Sequence, residues 1–194
     1  MHPQIERHAG AYVVEFAFAI LIFLLFMFGM LEVARAMYLY NTLEDATRRA
    51  ASLAANTDFT DEAAKSALRQ AALFRSSPGA LMLGKPITDA HLRIDYLAAV
   101  RAGDNSLSLA AIPAASLPGC PTRNRIVCLN NPNDPGCIRF VRVRVCDPGD
   151  TAQCQSVTYQ PMVPLVDLAM PIPHMTTIVA AETLGHTPGM ANCP

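Results

Sequence analysis

Residues 10–35 read GAYVVEFAFAILIFLLFMFGMLEVAR, and this stretch decides how the rest of the chain is arranged. From Ala11 to Leu31 it carries a single charge, Glu15, and from Phe16 to Leu31 it has no polar side chain. As a helix rising 1.5 Å per residue the run is about 31 Å long, matching a hydrocarbon core of about 30 Å. Phe16, Phe18, Phe23, Phe26 and Phe28 are spread around it, so it is apolar on every side and is not a surface amphipathic helix. A cleavable secretory signal is the main alternative. Such signals have an apolar core of about 7–15 residues followed by a small-residue cleavage site. This run is longer, and the helical pattern continues unbroken through Ala34-Arg35-Ala36, where such a site would fall.

Glu15 is the informative exception. A carboxylate inside a membrane-length segment costs on the order of 2.5–3.5 kcal/mol at the bilayer centre. A chain that keeps one has either a partner for it or, near the end of the run, a reach to the headgroups. The obvious partner is the amine freed by a cut after Gly10, which closes a short polar leader, Met1 to Gly10. Gly10 and Ala11 are therefore the candidate processing junction, and Glu15 and Phe16 the candidate assembly and recognition residues.

Downstream of the run, Ala36, Leu39, Leu43, Ala46, Ala50 and Leu53 recur at alternating steps of three and four. This predicts one helix from the leader to about Ala55, with an Ala-rich stripe able to approach a sheet or another helix closely. Glu44 with Arg48, and Asp45 with Arg49, are i,i+4 pairs in the favourable order. A second helix is expected over Asp61 to Phe74, with Thr60 as its cap. No proline occurs between Pro3 and Pro78, and twelve of the fifteen lie from Pro113 onward, so a helical front gives way to a turn-rich back.

Strand patterns follow at His91 to Leu97 and at Arg139 to Val145, where Val141, Val143 and Val145 share a face. Ser156 to Tyr159 and Met175 to Glu182 are weaker candidates, and the Val145 and Ser156 strands are expected to pair as a hairpin. The connection from Ala111 to Gly136 is read as long, irregular and in need of staples. The resulting fold is α+β: a long amino-terminal transmembrane helix packed against an antiparallel β-sheet domain with disulfide-rich loops. The domain plan is leader 1–10, transmembrane segment 11–31, extracytoplasmic helical part 32–75 and β-rich domain 76–194.

All six cysteines, Cys120, Cys128, Cys137, Cys146, Cys154 and Cys193, lie in the back half. An even count in a loop-rich region points to disulfides in an oxidising compartment, which puts the carboxyl-terminal domain outside the cytoplasm. The alternative is a set of reduced, buried thiols. Cys146 and Cys154 flank the turn Asp147-Pro148-Gly149-Asp150 and are the one pairing that the spacing favours. There is no Cys-x-x-Cys, so a zinc site is poorly supported.

The formal net charge of -1 gives no reason to expect nucleic acid. Arg123, Arg125, Arg139, Arg142 and Arg144 make one segment basic, and only Asp147, Asp150, Asp167 and Glu182 follow. Pairing across a sheet is the plainer reading of that split, a docking face the sharper one. No phosphate-binding loop, nucleophile elbow or His-Glu-x-x-His motif is present. His91 and His174 read as strand or loop residues. The loop Asn130 to Gly136 offers oxygens of the kind calcium takes but only one carboxylate, Asp134, so it reads as a turn. No catalytic, cofactor-binding or metal-ligating residue is assigned, and no enzyme activity is expected.

The stretch Gly10-Ala11-Tyr12-Val13-Val14-Glu15-Phe16 resembles a class III signal: a small residue, the cut, then Glu at mature position five and an aromatic at six. Continued through Gly29-Met30-Leu31-Glu32-Val33-Ala34-Arg35 to Asn41 and Arg48-Arg49-Ala50-Ala51, it resembles the TadE-type pseudopilins of Tad (tight adherence, Flp-type) pilus systems. The resemblance covers about residues 9–55. It implies an inner-membrane pseudopilin or minor pilin, cut by a prepilin peptidase, that primes or caps a filament of a short major pilin used in adhesion. The partners it implies are that peptidase, the major and other minor pilins, the inner-membrane assembly platform and membrane lipid. The competing reading is a membrane-anchored extracytoplasmic adhesin that is not built into a filament. A pilin-type chain loses about ten residues before its apolar run, whereas a signal-anchored adhesin keeps them.

Overall fold

The computed structural model describes residues 9–149, 153–162 and 170–193. The leader up to His8, and Asp150 and Asp167 among the acidic residues, lie outside the described residues. The first helix, α1, runs Ala9–Ala54 without interruption for 46 residues. At 1.5 Å per residue it is about 69 Å long. Its halves differ in environment. Every residue from Tyr12 to Leu31 is exposed, whereas Leu39, Leu43, Ala46, Ala50, Ala51 and Ala54 are fully buried. A helix this apolar and this bare is stable only if something other than water covers it.

The buried stripe departs from the expected one at its end. Leu53 is 38% exposed, and Ala54 takes its place in the core. Steps of three and four average 3.5 residues, and a straight helix turns every 3.6. After five turns the stripe has drifted by about half a residue, enough for Ala54 to replace Leu53 at the end of the buried face. The two surface pairs form, Glu44–Arg48 at 2.5 Å and Asp45–Arg49 at 3.4 Å. Both are exposed and contribute a few tenths of a kcal/mol each.

The second helix, α2, spans Glu62–Ala72 and packs against the outer half of α1 through Leu68 and Ala72. Its cap is Asp61, whose carboxylate accepts from the Ala64 amide at 3.0 Å, and not Thr60 as expected. The Thr60 hydroxyl is spent one step earlier, donating to Asp58 at 2.7 Å.

A four-stranded antiparallel sheet covers the stripe. Its strands are β1 (Leu92–Arg101), β2 (Leu107–Ala111), β3 (Phe140–Val145) and β4 (Thr176–Ala180), in the order β2-β1-β3-β4. Leu92, Tyr96, Ala98, Val141, Val143 and Val145 face the helix in one core. Thr47, buried in α1, is satisfied by the Glu44 carbonyl at 2.9 Å and the Thr177 hydroxyl of β4 at 3.0 Å. On the other face Asp95 receives Arg93, Arg142 and Arg144 at 3.2, 3.1 and 2.7 Å. Part of the basic segment thus pairs across the sheet.

Three expectations are corrected. Strand β2 was not expected, because its alternation, Ser106 to Leu109, is only four residues long and its residues are exposed on both faces. Ser156 to Tyr159 is not a strand paired with β3. It makes one bridge, Thr158 to Pro171, because β4 occupies the free edge of β3. The segment Ala111 to Gly136 is not irregular throughout, since it holds a third helix, α3 (Pro121–Asn130), with Pro121 at its first turn. Buried Asn124 pins α3, accepting from the Ile138 amide at 2.8 Å and donating to its carbonyl at 3.4 Å.

The cysteines pair as Cys120–Cys193, Cys128–Cys137 and Cys146–Cys154. The first joins the start of α3 to the carboxyl-terminal tail. The second lies beside Asn124, and the third closes the turn after β3. The tail also caps α1: the Glu182 and Leu184 amides both donate to the Ala55 carbonyl, at 3.1 and 3.0 Å. This satisfies an acceptor that a helix end leaves open.

Candidate functional site: a bare apolar helix and its polar collar

Two parts make up the site, and α1 carries both. The inner part is the exposed apolar half. Gly10 and Ala11 lie on α1, next to the first of its described residues. Glu15 and Phe16 follow on the exposed helix. Among the described residues Glu15 has no hydrogen-bond or ion-pair partner. Within one chain, then, the costly carboxylate is not neutralised by the described structure.

The outer part is a collar of polar groups that begins at Glu32, the first charge after the apolar run. Glu32 accepts hydrogen bonds from the Tyr159 hydroxyl and, at 3.2 Å, from the Met162 amide. Arg35, one turn on, pairs with Glu32 at 3.2 Å. Its guanidinium also donates to the carbonyls of Leu83 at 2.8 Å, Lys85 at 3.0 Å and Gln160 at 2.7 Å. It stacks over the Tyr159 ring at 5.2 Å from the centroid. One planar side chain with five donors thereby ties two separate loops to the helix. Burial first, and then the bond to Glu32, push the Tyr159 phenol up to about 12, so it stays a protonated donor. The remaining members of the collar come from positions 83–85 and 159–162, which no spacing rule connects with Glu32. The signal that was present is an acid and a base three residues apart at the end of an apolar run.

Among the described residues each histidine has a hydrogen-bond partner, His186 meeting Thr122 at 3.3 Å. His91 Nδ1 accepts from the Thr88 amide at 3.0 Å, and His174 meets Ser156 at 3.0 Å. In the loop 130–136, Asp134 accepts from the Gly136 amide at 2.8 Å and Asn131 from the Asn133 amide at 3.0 Å, as in a chain of turns. Among the described residues no group of three or more His, Cys, Asp or Glu is placed to hold a metal.

The long apolar helix on a disulfide-bonded antiparallel sheet defines the class: an α+β protein with one amino-terminal helix long and apolar enough to cross a membrane. Residues 10–52 match the model of the TadE-like protein family, and over that segment the chain is similar to it. The segment contains the whole site apart from the loops that the collar holds. No curated protein and no solved structure matches the chain. The family is associated with Tad pilus systems and is not known as enzymatic. Three disulfides suit a domain outside the cytoplasm.

Proposed function

We propose that the chain is an inner-membrane pseudopilin or minor pilin that primes or caps a Tad-type pilus. The observation that carries this reading is the bare half of α1, with its lone carboxylate five residues past Gly10 in a TadE-like segment. Prepilin peptidase cuts between Gly10 and Ala11. The new amine on Ala11 then neutralises Glu15 of the same or an adjacent subunit as apolar helices of the major and minor pilins pack together. The collar fixes the disulfide-bonded domain on the helix, so packing of the helices sets the position of the domains. The assembly platform engages the same helix from the inner membrane.

The test is processing. Co-expressed with the prepilin peptidase, the membrane-extracted protein is expected to have the intact mass of residues 11–194. A mature amino terminus at Met1, or one downstream of Leu31, overturns the reading.

A further inference from the structure

The helix carries its own ruler. Apolar side chains stay exposed past Glu32: Val33 is 59% exposed, Met37 63% and Tyr38 40%. Tyr12 and Tyr38 bracket the exposed run, and at 1.5 Å per residue they are about 39 Å apart. A bilayer with its headgroup layers is about 40–45 Å thick, and tyrosines concentrate at its two interfaces. On this ruler the collar at Glu32 and Arg35 lies inside the outer headgroup layer.

Two loops come down to that level. The turn from Leu81 to Ile87 is closed by the Leu81 amide donating to the Ile87 carbonyl at 2.8 Å, both residues being buried, and its tip carries Met82 and Leu83, 76% and 60% exposed. Arg35 holds the Leu83 carbonyl, and Glu32 holds the Met162 amide, with the Met162 side chain 60% exposed. Leu83 and Met162 share a groove of about 430 Å³ with Phe28 and Leu31 of the apolar run. Two domain side chains therefore continue the surface of the run without a step.

We propose that Met82, Leu83 and Met162 form an apolar shelf on the underside of the domain that rests in the lipid interface, with a phospholipid acyl chain in the groove beside Phe28 and Leu31. This rests on the reading that α1 spans a membrane. Continuity with the run selects lipid as the occupant. Interfacial burial offsets the exposure of three large side chains that the domain core does not cover. The shelf and the Arg35 ties together set the domain's height and tilt above the bilayer.

The chain has no tryptophan, so a single one reports its own depth. Full-length Leu83→Trp and Met162→Trp are reconstituted in phosphatidylcholine vesicles brominated near the acyl carbonyls. Phe23→Trp reports the middle of the span, in vesicles brominated deep in the chains. Leu129→Trp, on α3 beside Leu184 at the far end of the domain, reports water. Emission from the tryptophans introduced at positions 83 and 162 is expected to be mostly lost while that from position 129 persists. If position 23 is quenched and positions 83 and 162 behave like 129, whether in water or under a second copy, the shelf is overturned and the span stands. If position 23 is not quenched, the span falls and the shelf with it.

Discussion

Arg35 is the side chain on which the largest number of separate pieces depend. Its side chain is 9% exposed, and its loss leaves Glu32, three carbonyls and the Tyr159 ring without their common partner. Removing one member of a largely buried, hydrogen-bonded pair costs several kcal/mol. Arg35→Ala is expected to destabilise the domain by about 3 kcal/mol in denaturant unfolding followed in detergent. Arg35→Lys recovers little, because an ammonium cannot reach three carbonyls and stack at once. His91 is the acid-sensitive residue. Burial pulls its pKa below the ordinary value, against the Asp147 and Asp89 carboxylates, and the Thr88 amide facing Nδ1 requires that nitrogen unprotonated. Below about pH 6.5 the unfolded chain therefore binds a proton that the folded chain refuses. Folding stability contributed by this residue is complete above that pH and is lost as pH falls through the lowered folded value. Unfolding midpoints between about pH 7 and about pH 5 should fall in the parent protein and fall less steeply in His91→Gln.

Among the elements, the disulfides divide the work unequally. Cys120–Cys193 closes a separation of 73 residues, whereas Cys128–Cys137 and Cys146–Cys154 close 9 and 8. By the chain-entropy relation, loss of the long bridge costs about 4.4 kcal/mol and loss of a short one about 2.5 kcal/mol. Paired Cys→Ala replacements should rank in that order in denaturant midpoint. Equal losses would mean that the tail is held by other contacts. One such contact is at Gly185, whose φ of +79° suits glycine and where a Cβ would sit 2.6 Å from the Asp58 backbone nitrogen. Most elements were legible from sequence. The run of α1, α2, the valine face of β3 and the Cys146 turn all carry short-range patterns. β2 and α3 were not, because the alternation of β2 is only four residues long and α3 presents no apolar stripe. β2 is an exposed edge, and α3 is held by Asn124 and a disulfide, whose partners lie at Ile138 and Cys137.

For the whole molecule the decisive charge is Glu15. Glu15 lies within one turn of the inner end of the apolar run, so its substitution by Ala removes a charge from the edge of the span and insertion should be unimpaired or improved. On the proposed function, incorporation into the pilus assembly should nonetheless fall, because the Ala11 amine freed by processing would lose its counter-charge in a low-dielectric site. Membrane fractionation and pilus counts on one strain separate the two effects. A processed, inserted and fully piliated Glu15→Ala strain would remove the main physical support for the pilin reading.

The apolar run, its single carboxylate and the small residues before it were determined by sequence alone, because membrane length and charge cost depend on composition within one segment. The cysteine count and its place likewise pointed outside the cytoplasm. Only the tertiary structure decided that Leu83, Lys85, Tyr159, Gln160 and Met162 gather on Glu32 and Arg35. Those residues lie 48 to 130 positions from their partners. A hydrogen bond to a backbone carbonyl leaves no mark on the residue that supplies it, so no local pattern encodes the collar.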